Sequence, residues 1–451
     1  MQSVTLKEIA NAVGGMLNVD SDVRIDCVCT DTRKITEGCL YIAIKGENFD
    51  GHRFIDKAFE LGAKAAVSSE PIVTDKPVVY VNDTRQAFGA LAGWYRSLFP
   101  VYVVGVTGSV GKTSTKEMIH TVMSRKWKTL KTQGNFNNDI GLPRTLLELD
   151  GSYQGAVIEM GMSALGEISY LTNLAKPDLG VITNIGVSHL EKLGTRDNIL
   201  KAKLEILDGM REDAKLILNA DNDKLRSVRE QLGERALYFG IEQDGIVTAS
   251  HVAQVGDETA FVIHYAGKNL DAVIPTIGLH NVYNALAAFL VGIEIGLTPE
   301  EIVASYRQYQ NSGMRQNICE RGGVKVIADC YNASPDSMQS SINVISTVSC
   351  SGRRVAVFGD MLELGEQAAQ LHQNVGRMAA NSNIDLLYCY GNDSVHIREG
   401  ALAAGLANVY HYTDKDALAA ELKGVLKPGD AIIFKASRGI KLEEVIEKVF
   451  A

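Results

Sequence analysis

The stretch TGSVGKTS at 107–114 has the clearest chemical meaning in the sequence. It follows an apolar run, VYVVGV, and precedes a helical pattern, TSTKEMIHTVM. Backbone N–H groups of a Gly-rich turn with a helix N-terminus behind them form a cradle for phosphate oxygens. Lys112 would contact the β- and γ-phosphates of a nucleotide, and the Thr113 hydroxyl would bind Mg²⁺. The predicted nucleotide-binding residues here are Thr107, Gly108, Ser109, Val110, Gly111, Lys112, Thr113 and Ser114.

This loop departs from the strict phosphate-loop pattern at one position. The pattern GxxxxGK[ST] requires glycine at position 106, where this chain has Val106. The order of strand, turn, GKT and helix still matches the structural context that the motif needs. The alternative is a Gly-rich turn with a surface lysine.

Glu159 ends the predicted buried strand GAVIEMG, and His189 lies just past the predicted strand LGVITNIG. Carboxyl ends of parallel strands meet at the edge of a sheet where ligands bind. A carboxylate beside a phosphate loop is a suitable Mg²⁺ ligand, and we place His189 at the same edge. The alternatives are a carboxylate that caps a neighbouring loop and a histidine with a structural role. Lys201 and Lys203 lie on a predicted helix, whose lysines by themselves indicate a solvated face.

Two asparagine pairs are further candidates. His280, Asn281 and Asn284 fall at the start of a predicted helix. Asn281 and Asn284 share a helix face, so both can approach an adenine base; the alternative for Asn281 is a helix N-cap. Asn137 and Asn138 are uncharged donors near the phosphate loop and would hold a peptide substrate, or they are turn residues, because Asn tolerates left-handed backbone geometry.

These candidates depend on strands that alternate with helices. Continuous β-branched runs are typical of strands buried on both faces of a parallel sheet. We predict three domains: a small N-terminal α/β domain over 1–98, a central P-loop ATPase-like parallel-sheet domain over 99–312, and a C-terminal Rossmann-like domain over 313–451.

Composition limits the class of function. The chain has 451 residues with 45 Lys+Arg against 54 Asp+Glu, a formal net charge of -9. A general nucleic-acid binder needs a basic surface, so we expect no nucleic-acid partner. The sequence has no secretory segment and no apolar run of the roughly 18 residues that span a bilayer, which predicts a cytoplasmic protein with no membrane contact. The seven cysteines are odd in number and scattered, which predicts that all are reduced and structural.

The ordered motifs resemble one family. TGSVGKTSTKEM, GNFNNDIGLP, EMGMSALGEI, NIGVSHLEKLG, KAKLEIL, GLHNVYNALAA, GMRQ and DCYNASPDSM occur in that order. This series resembles the Mur ligases, the ATP-dependent amide ligases of peptidoglycan synthesis, over nearly the whole chain. TDTR, KGENFDGHRFIDKA, GDMLELGE and KASRGIKLEEV are similar to the branch that adds D-alanyl-D-alanine, and the DNPR string expected of the branch that adds the third residue is absent.

The resemblance implies ATP and Mg²⁺ as cofactors and two small-molecule substrates, UDP-N-acetylmuramoyl-tripeptide and D-alanyl-D-alanine. It implies that Thr113, Glu159, His189 and Lys203 hold the metal and that Lys112 acts with them in catalysis. Lys203 would carry a carbamate, which turns a cation into a bidentate oxygen ligand suited to Mg²⁺; its position before Glu205 and Ile206 favours it over Lys201.

The resemblance also implies the remaining binding residues. Arg315 would reach the phosphates, and Asp329 would accept hydrogen bonds from the ribose hydroxyls. The UDP-sugar site would be formed by Thr30, Asp31, Thr32, Arg33 and Lys45 with His52. Here the family string has Ser at the positions of Thr30 and Thr32, which both keep a hydroxyl. Asn332, Asp360, Ser437 and Arg438 would lie on the substrate side of the C-terminal domain, with Arg438 clamping a carboxylate.

Alternative functions stay open at this point. They are another Mur-type ligase, a folylpolyglutamate-synthase-like amide ligase, and a non-catalytic nucleotide-binding protein on the same scaffold. The intact Lys112, Thr113, Glu159 and His189 disfavour the last of these. We expect a monomer, and the sequence does not tell lysine from diaminopimelate as the third peptide residue.

Overall fold

The N-terminal segment forms a small α/β unit. The computed structural model describes residues 1–46 and 49–451, so Glu47 and Asn48 of the KGENFDGHRF motif lie outside the described residues. The strands are β1 (Val4–Thr5), β2 (Met16–Leu17), β3 (Arg24–Ile25), β4 (Cys27–Cys29), β5 (Cys39–Ile42), β6 (Ala65–Ser68) and β7 (Val78–Tyr80), and the helices are α1 (Leu6–Ala12), α2 (Ile55–Glu60) and α3 (Thr84–Ser97). The main sheet has the order β2-β7-β6-β5-β4, with parallel pairing from β4 to β7.

The cysteine prediction is wrong for one pair. Cys27 and Cys39 form a disulfide bond, with Cα atoms 4.5 Å apart. They are directly opposite each other on the neighbouring parallel strands β4 and β5. This proximity arises from strand register, and a sequence separation of 12 residues does not reveal it. The free cysteines of the described residues are Cys29, Cys319, Cys330, Cys350 and Cys389.

The central segment is built on a nine-stranded sheet. Its strands are β8 (Tyr102–Thr107), β9 (Thr129–Lys131), β10 (Gly155–Glu159), β11 (Leu179–Ile182), β12 (Lys215–Asn219), β13 (Ala236–Gly240), β14 (Val247–Val255), β15 (Glu258–Tyr265) and β16 (Lys268–Ile274). The order is β16-β15-β14-β13-β12-β11-β8-β10-β9. Strands β8, β10 and β11 are buried almost throughout, as β-branched runs covered on both faces require.

Helices cover both faces of the central sheet. They are α4 (Lys112–Met123), α5 (Gly141–Leu146), α6 (Glu167–Ala175), α7 (Leu190–Leu193), α8 (Arg196–Leu204), α9 (Asp223–Arg226), α10 (Arg229–Leu232), α11 (Leu279–Glu294) and α12 (Pro299–Ser305). Helices α4 and α11 pack together over one apolar cluster. The other cluster is shared with the N-terminal unit through α3, which packs on α5 and α6.

The central sheet is parallel from β9 to β14, as expected, but β15 and β16 are antiparallel additions at one edge. Side chains along β14 and β15 alternate between buried and partly exposed positions. Such alternation is typical of an antiparallel sheet with one wet face. Strand β15 runs opposite to β8, β10 and β11, whereas β16 runs in the same direction as they do. The carboxyl end of β16 therefore lies at the edge where those strands terminate, and the chain continues from it into α11.

The C-terminal segment is a second doubly wound sheet, with the order β17-β18-β22-β19-β20-β21. Its elements are β17 (Asn317–Arg321), β18 (Val324–Asp329), β19 (Arg354–Gly359), β20 (Leu386–Tyr390), β21 (Val409–Tyr412), β22 (Ala431–Lys435), α13 (Pro335–Thr347), α14 (Ala368–Ala380), α15 (Val395–Ala403), α16 (Lys415–Val425) and α17 (Glu443–Val449). All pairs except β17–β18 are parallel. Apolar clusters lie on both faces.

The three α/β units match the predicted fold class, which is confirmed. Each main sheet lies inside one predicted segment, while the boundaries near 98 and 312 stay predictions. Among the described residues, the helices are all too short or too polar to traverse a lipid bilayer.

Candidate active site

A cleft lies where the phosphate loop faces the C-terminal sheet. It encloses about 500 Å³ and is lined from both the central and the C-terminal segment. The predicted site residues that line it are Ser109, Val110, Gly111, Lys112, Thr113, Ser114, Asn137, Asn138, Glu159, His189, His280, Asn284, Arg315, Asp329 and Asn332. Ser109 and Lys435, which are 326 positions apart in sequence, therefore share one cavity.

The phosphate loop has the backbone geometry of an anion cradle. Helix α4 begins at Lys112, and its N-cap Gly111 has a φ of 83° and no side chain to cap the first turn. The first-turn N–H groups are therefore available to an anion. Gly108 has a φ of 150°, and a Cβ there would lie 1.9 Å from Thr183 Oγ1. Thr107 and Gly108 do not line the cleft; they form the base of the loop at the end of β8.

Lys112 lies over its own loop. Its Nζ donates hydrogen bonds to the carbonyl oxygens of Gly108, at 2.8 Å, and Ser109, at 3.3 Å. Burial lowers the pKa of Lys112 from its ordinary value, and Glu159 offsets part of that shift. The ammonium is thus held at the mouth of the loop, where phosphate oxygens of a nucleotide would accept its hydrogen bonds.

Glu159 is a buried carboxylate of the cleft that two side-chain hydrogen bonds hold in place. It is 1% exposed at the end of β10. Its Oε2 accepts a hydrogen bond from Thr113 Oγ1 at 2.8 Å, and its Oε1 accepts one from Asn137 Nδ2 at 2.9 Å. A buried carboxylate next to a threonine hydroxyl is the donor set that Mg²⁺ prefers. Asn138 instead accepts from the N–H groups of Ile140 and Gly141, which agrees with the turn alternative for that residue.

His189 has a ring nitrogen that is suited to binding a metal ion. Its Nδ1 lies 2.9 Å from Glu363 Oε2, but the two are not aligned for a hydrogen bond, and within the described residues this buried atom has no hydrogen-bond partner. Its backbone φ of 63° is unusual for a residue other than glycine. A buried ring nitrogen without a hydrogen bond, at an unusual backbone conformation, fits a role for His189 as a metal ligand.

Lys203 is the buried lysine of helix α8. Its side chain is 2% exposed, whereas Lys201 on the same helix is exposed. Burial lowers the pKa of Lys203 well below its usual value, and Lys112 lowers it further. A neutral amine is the form that reacts with CO₂, so the residues present fit a metal held by Thr113, Glu159, His189 and a carbamylated Lys203. Lys203 itself does not line the cleft.

The nucleoside side is formed by helix α11. Its N-cap is Gly278, so the N-cap alternative for Asn281 is wrong. Asn281 is 2% exposed and donates through Nδ2 to Ile277 O at 2.8 Å and to Gln316 Oε1 at 3.0 Å. It lies behind Asn284, which lines the cleft and donates to Asn281 Oδ1. Asn281 therefore acts as the support of Asn284, and Asn284 alone of the pair faces the cavity.

The C-terminal side of the cleft carries an ion pair. Asp329, at the end of β18, accepts through Oδ2 from Lys435 Nζ and Ser341 Oγ, both at 2.8 Å. Among the described residues no hydrogen bond involves Asp329 Oδ1, which leaves that oxygen for a ligand hydroxyl. The Arg315 guanidinium lies 3.9 Å from the ring centroid of Tyr331, and Lys435 also donates to Asn332 O.

The predicted UDP-sugar residues lie in the N-terminal unit, away from this cleft. Thr30 follows β4 and Lys45 follows β5, so adjacent parallel strands bring both to one sheet edge. Asp31 caps the 3₁₀ turn formed by Thr32 to Lys34 and pairs with Arg33 at 2.8 Å, and that partner lowers the pKa of Asp31 to about 2. Lys45 lies within 3.5 Å of both Asp50 and Glu70.

Three predicted dipeptide residues do not reach the cleft. The Asp360 carboxylate accepts from the N–H groups of Asn392 and Ser394, so it holds the turn after β20. Ser437 Oγ accepts from Leu362 N at 3.0 Å. Arg438 is mostly exposed and pairs with Glu443 at 2.6 Å. The two hydrogen bonds to Asp360 explain why its burial does not indicate a ligand site.

Sequence reasoning missed several cleft residues, among them Tyr283, Gln316, Tyr331 and Asp336. Asp336 is in the first turn of α13, where an acidic residue looks like ordinary helix capping. The structure shows that its Oδ2 accepts from Val187 N at 3.3 Å, two residues before His189. No spacing rule links positions 149 residues apart, so a folded structure was needed to find this contact.

Comparison with known proteins identifies the family. The Mur ligase middle domain matches residues 106–292, the family's glutamate ligase domain matches 314–438, and the domain described as Mur ligase family, catalytic domain, matches 24–102. UDP-N-acetylmuramoyl-tripeptide–D-alanyl-D-alanine ligase of Bacillus subtilis (strain 168) is 41% identical over 98% of this chain and 97% of its own length. The chain belongs to the Mur ligase family. The enzyme of the same name from Escherichia coli (strain K12) is 38% identical, with 99% and 98% covered.

Solved Mur ligase structures agree with this assignment. MurF from Acinetobacter baumannii superposes with a TM-score of 0.93 at 30% identity and covers 100% of this Mur ligase and 99% of that chain. MurF from Thermotoga maritima in complex with ADP has a TM-score of 0.85 at 29% identity, with 94% and 96% covered. The family resemblance inferred from the ordered motifs is thus confirmed.

Proposed function

We propose that this Mur ligase joins D-alanyl-D-alanine to the terminal carboxylate of UDP-N-acetylmuramoyl-tripeptide, with conversion of ATP to ADP and phosphate. The observation that carries the proposal is the two-sided cleft, in which the phosphate loop and Glu159 face Asp329 and Arg315. Full-length relatives at 41% and 38% identity bear the name of this reaction and support it. An ADP complex of a similar structure supports the nucleotide.

We further propose one ligand for each domain. Residues 1–98 would bind the UDP-sugar peptide, 99–312 would bind ATP, and 313–451 would bind the incoming D-alanyl-D-alanine. Asp31, Arg33 and Lys45 supply charges at one sheet edge of the first domain. We place the protein in the cytoplasm, where ATP and nucleotide-linked precursors are found, as a monomer, because one chain supplies both walls of the ATP cleft.

The proposed reaction proceeds by transfer of the γ-phosphoryl group. The peptide carboxylate attacks the γ-phosphorus, ADP leaves, and the resulting acyl phosphate is attacked by the amine of the dipeptide, which loses a proton as phosphate departs. Lys112 would neutralise negative charge on the transferred group. Arg315 and Asp329 would orient the nucleotide from the opposite wall, so that closure of the two walls excludes water from the acyl phosphate.

Mg²⁺, when bound, would supply charge neutralisation at the phosphate oxygens. Thr113, Glu159, His189 and Lys203 are the residues proposed to hold it. Asn137 fixes the orientation of the Glu159 carboxylate through a 2.9 Å hydrogen bond. Burial of Lys203 favours the neutral amine that carbamylation requires.

The test is a reconstituted ligation assay with release of phosphate as the readout. Phosphate should appear only when ATP, Mg²⁺, the UDP-linked tripeptide and D-alanyl-D-alanine are all present. Replacing the dipeptide with L-lysine, diaminopimelate or glutamate tests the other amide ligases, and phosphate release that does not depend on the dipeptide would overturn the proposal. Parallel assays with lysine- and diaminopimelate-containing tripeptides establish the third residue.

A further inference from the structure

Lys116 is a fully buried cation behind the phosphate loop. It lies one turn after Lys112 on helix α4 and has 0% exposure. Its Nζ donates to Thr132 O at 2.6 Å and lies 3.1 Å from Glu117 Oε1. On its other side, Nζ is 3.9 Å from Glu159 Oε2. A buried ammonium is costly unless it is paired and hydrogen-bonded, so these contacts define where Lys116 can act.

Lys116 has a second carboxylate neighbour besides Glu117. Glu117 has a second cationic partner, because Lys131 Nζ lies 2.5 Å from its Oε2. By contrast, Lys116 is the cation within 4.0 Å of the Glu159 carboxylate among the residues that the structure describes. The 3.9 Å separation is too long for a hydrogen bond. The ammonium therefore attracts the carboxylate without occupying an oxygen lone pair that a metal would use.

A second connection joins Lys116 to the same residue. Thr132, whose carbonyl oxygen accepts from Lys116, also accepts through Oγ1 from the backbone N–H of Glu159 at 2.9 Å. Thr132 N in turn donates to Val157 O on β10 at 3.1 Å. Lys116 thus fixes the segment after β9, which holds the end of β10, while its charge attracts the side chain of Glu159.

We propose that Lys116 is a positioning residue for Glu159: it holds the strand end and the carboxylate where Glu159 and Thr113 can bind Mg²⁺ together. The inference rests on the proposed function, because it assumes that Mg²⁺ and a nucleotide bind at this site. Residues that orient a metal ligand commonly change metal affinity 10- to 100-fold when replaced.

Charge and position have opposite effects on the metal and must be separated. Lys116→Met alone removes a positive charge, which by itself would favour a cation, and leaves Glu117 with one partner fewer. Lys116→Met combined with Glu117→Gln removes one charge of each sign. The double variant keeps the net charge of the cluster formed by Lys116, Glu117, Lys131 and Glu159. Glu159 is then the carboxylate of this cluster that loses its neighbouring cation.

The experiment measures the Mg²⁺ concentration that gives half-maximal ADP binding, by calorimetry on the full chain, together with Tm. We expect the double variant to need at least about 10-fold more Mg²⁺ than the wild type. Its Tm should lie between the Tm of Lys116→Met and that of the wild type. Glu117→Gln and Lys131→Met are matched controls that leave Lys116 in place, and both should keep the wild-type requirement for Mg²⁺.

The outcomes distinguish the two proposals. A wild-type protein that binds ADP without any dependence on Mg²⁺ contradicts the proposed metal site. If ADP binding by the double variant depends on Mg²⁺ as it does in the wild type, Lys116 serves only to balance the charge of Glu117. The positioning role is then wrong. If Glu117→Gln raises the Mg²⁺ requirement as much as the double variant does, the positioning role belongs to Glu117 and the inference about Lys116 also fails.

Discussion

At the residue scale, burial separates residues that look alike in the sequence. Lys201 and Lys203 lie two positions apart on one helix, but Lys203 is buried and Lys201 is exposed. Register before Glu205 was the sequence argument for Lys203, and packing of α8 now gives an independent physical one. Asn281 and Asn284 show the same effect, because they share a helix face and only Asn284 lines the cleft within the described structure.

Replacement of Lys203 tests its proposed role. Lys203→Ala should lower kcat by about 100-fold or more, because it removes a metal ligand from the site. Formate or acetate should restore part of the activity if a carbamate is the active form, since a short carboxylate can occupy the vacated space. Lys201→Ala is the matched control and should retain wild-type kcat. Loss without rescue by either carboxylate would contradict the carbamate.

His280 predicts a pH dependence of stability. Burial, opposed in part by Asp329 and Gln316, lowers the pKa of His280 to about 4, against about 6.5 in an unfolded chain. Above pH 6.5, where His280 is neutral in both states, its low pKa does not reduce the free energy of unfolding. The free energy of unfolding falls between about pH 6.5 and 4, because there the unfolded chain binds a proton that the folded chain does not.

The measurement compares free energies of unfolding across that range for wild type and His280→Gln. The wild type should lose up to about 3 kcal/mol more than the variant between pH 6.5 and 4. Parallel curves for the two proteins would show that His280 is not the responsible group.

At the element scale, the most informative feature of the sequence is a polar residue at the carboxyl end of a predicted strand. Glu159 ends β10 and Asp329 ends β18, two strands whose sequences are mainly apolar, and the structure brings both residues to one cleft. The edge strands β15 and β16 were not foreseen, because half-buried strands lack a continuous apolar run and carry only an alternating pattern. The disulfide of Cys27 and Cys39 was missed because it depends on register between β4 and β5.

Gly108→Ala tests the turn between β8 and α4. The new Cβ would lie 1.9 Å from Thr183 Oγ1 at a φ of 150°, so the loop must move. We expect ADP affinity to fall at least about 10-fold, which corresponds to roughly 1.4 kcal/mol of strain or lost contacts. Gly134→Ala is the control, since Gly134 also has a positive φ of 52° but has no atom within 4 Å of the added Cβ. Calorimetric ADP binding by both variants checks the prediction, and equal affinity would contradict it.

At the scale of the whole molecule, two α/β units meet over the nucleotide cleft. Asp336, on the first turn of α13, accepts from Val187 N, and a Cβ at Gly186 would lie 2.0 Å from its Oδ2. Burial raises the pKa of Asp336, and the hydrogen bond from Val187 N opposes that shift. Long-range contacts of this kind cannot be predicted from the spacing of residues in the sequence. The order of strands and helices that forms the two units could be predicted from it.

Asp336→Ala should weaken the contact between the two units. We expect kcat to fall by about 10-fold, the value of one charge-assisted hydrogen bond of roughly 1.4 kcal/mol, and the radius of gyration from small-angle X-ray scattering to increase. Asp393→Ala provides the control, because Asp393 is an exposed residue of the same unit. An unchanged scattering curve together with an unchanged kcat would remove Asp336 from any role in closure.

Strand β22 has a consequence for the order in which the protein becomes competent during synthesis. It is translated after β17 to β21, yet it lies between β18 and β19 in the sheet. Chains emerge from the ribosome at about 5–20 residues per second, so β18 and β19 cannot pair with β22 until it has been synthesised. Lys435, at the end of β22, is also the partner of Asp329. The phosphate loop is therefore synthesised well before the strand that completes the opposite wall of the cleft. An incompletely synthesised chain cannot enclose ATP.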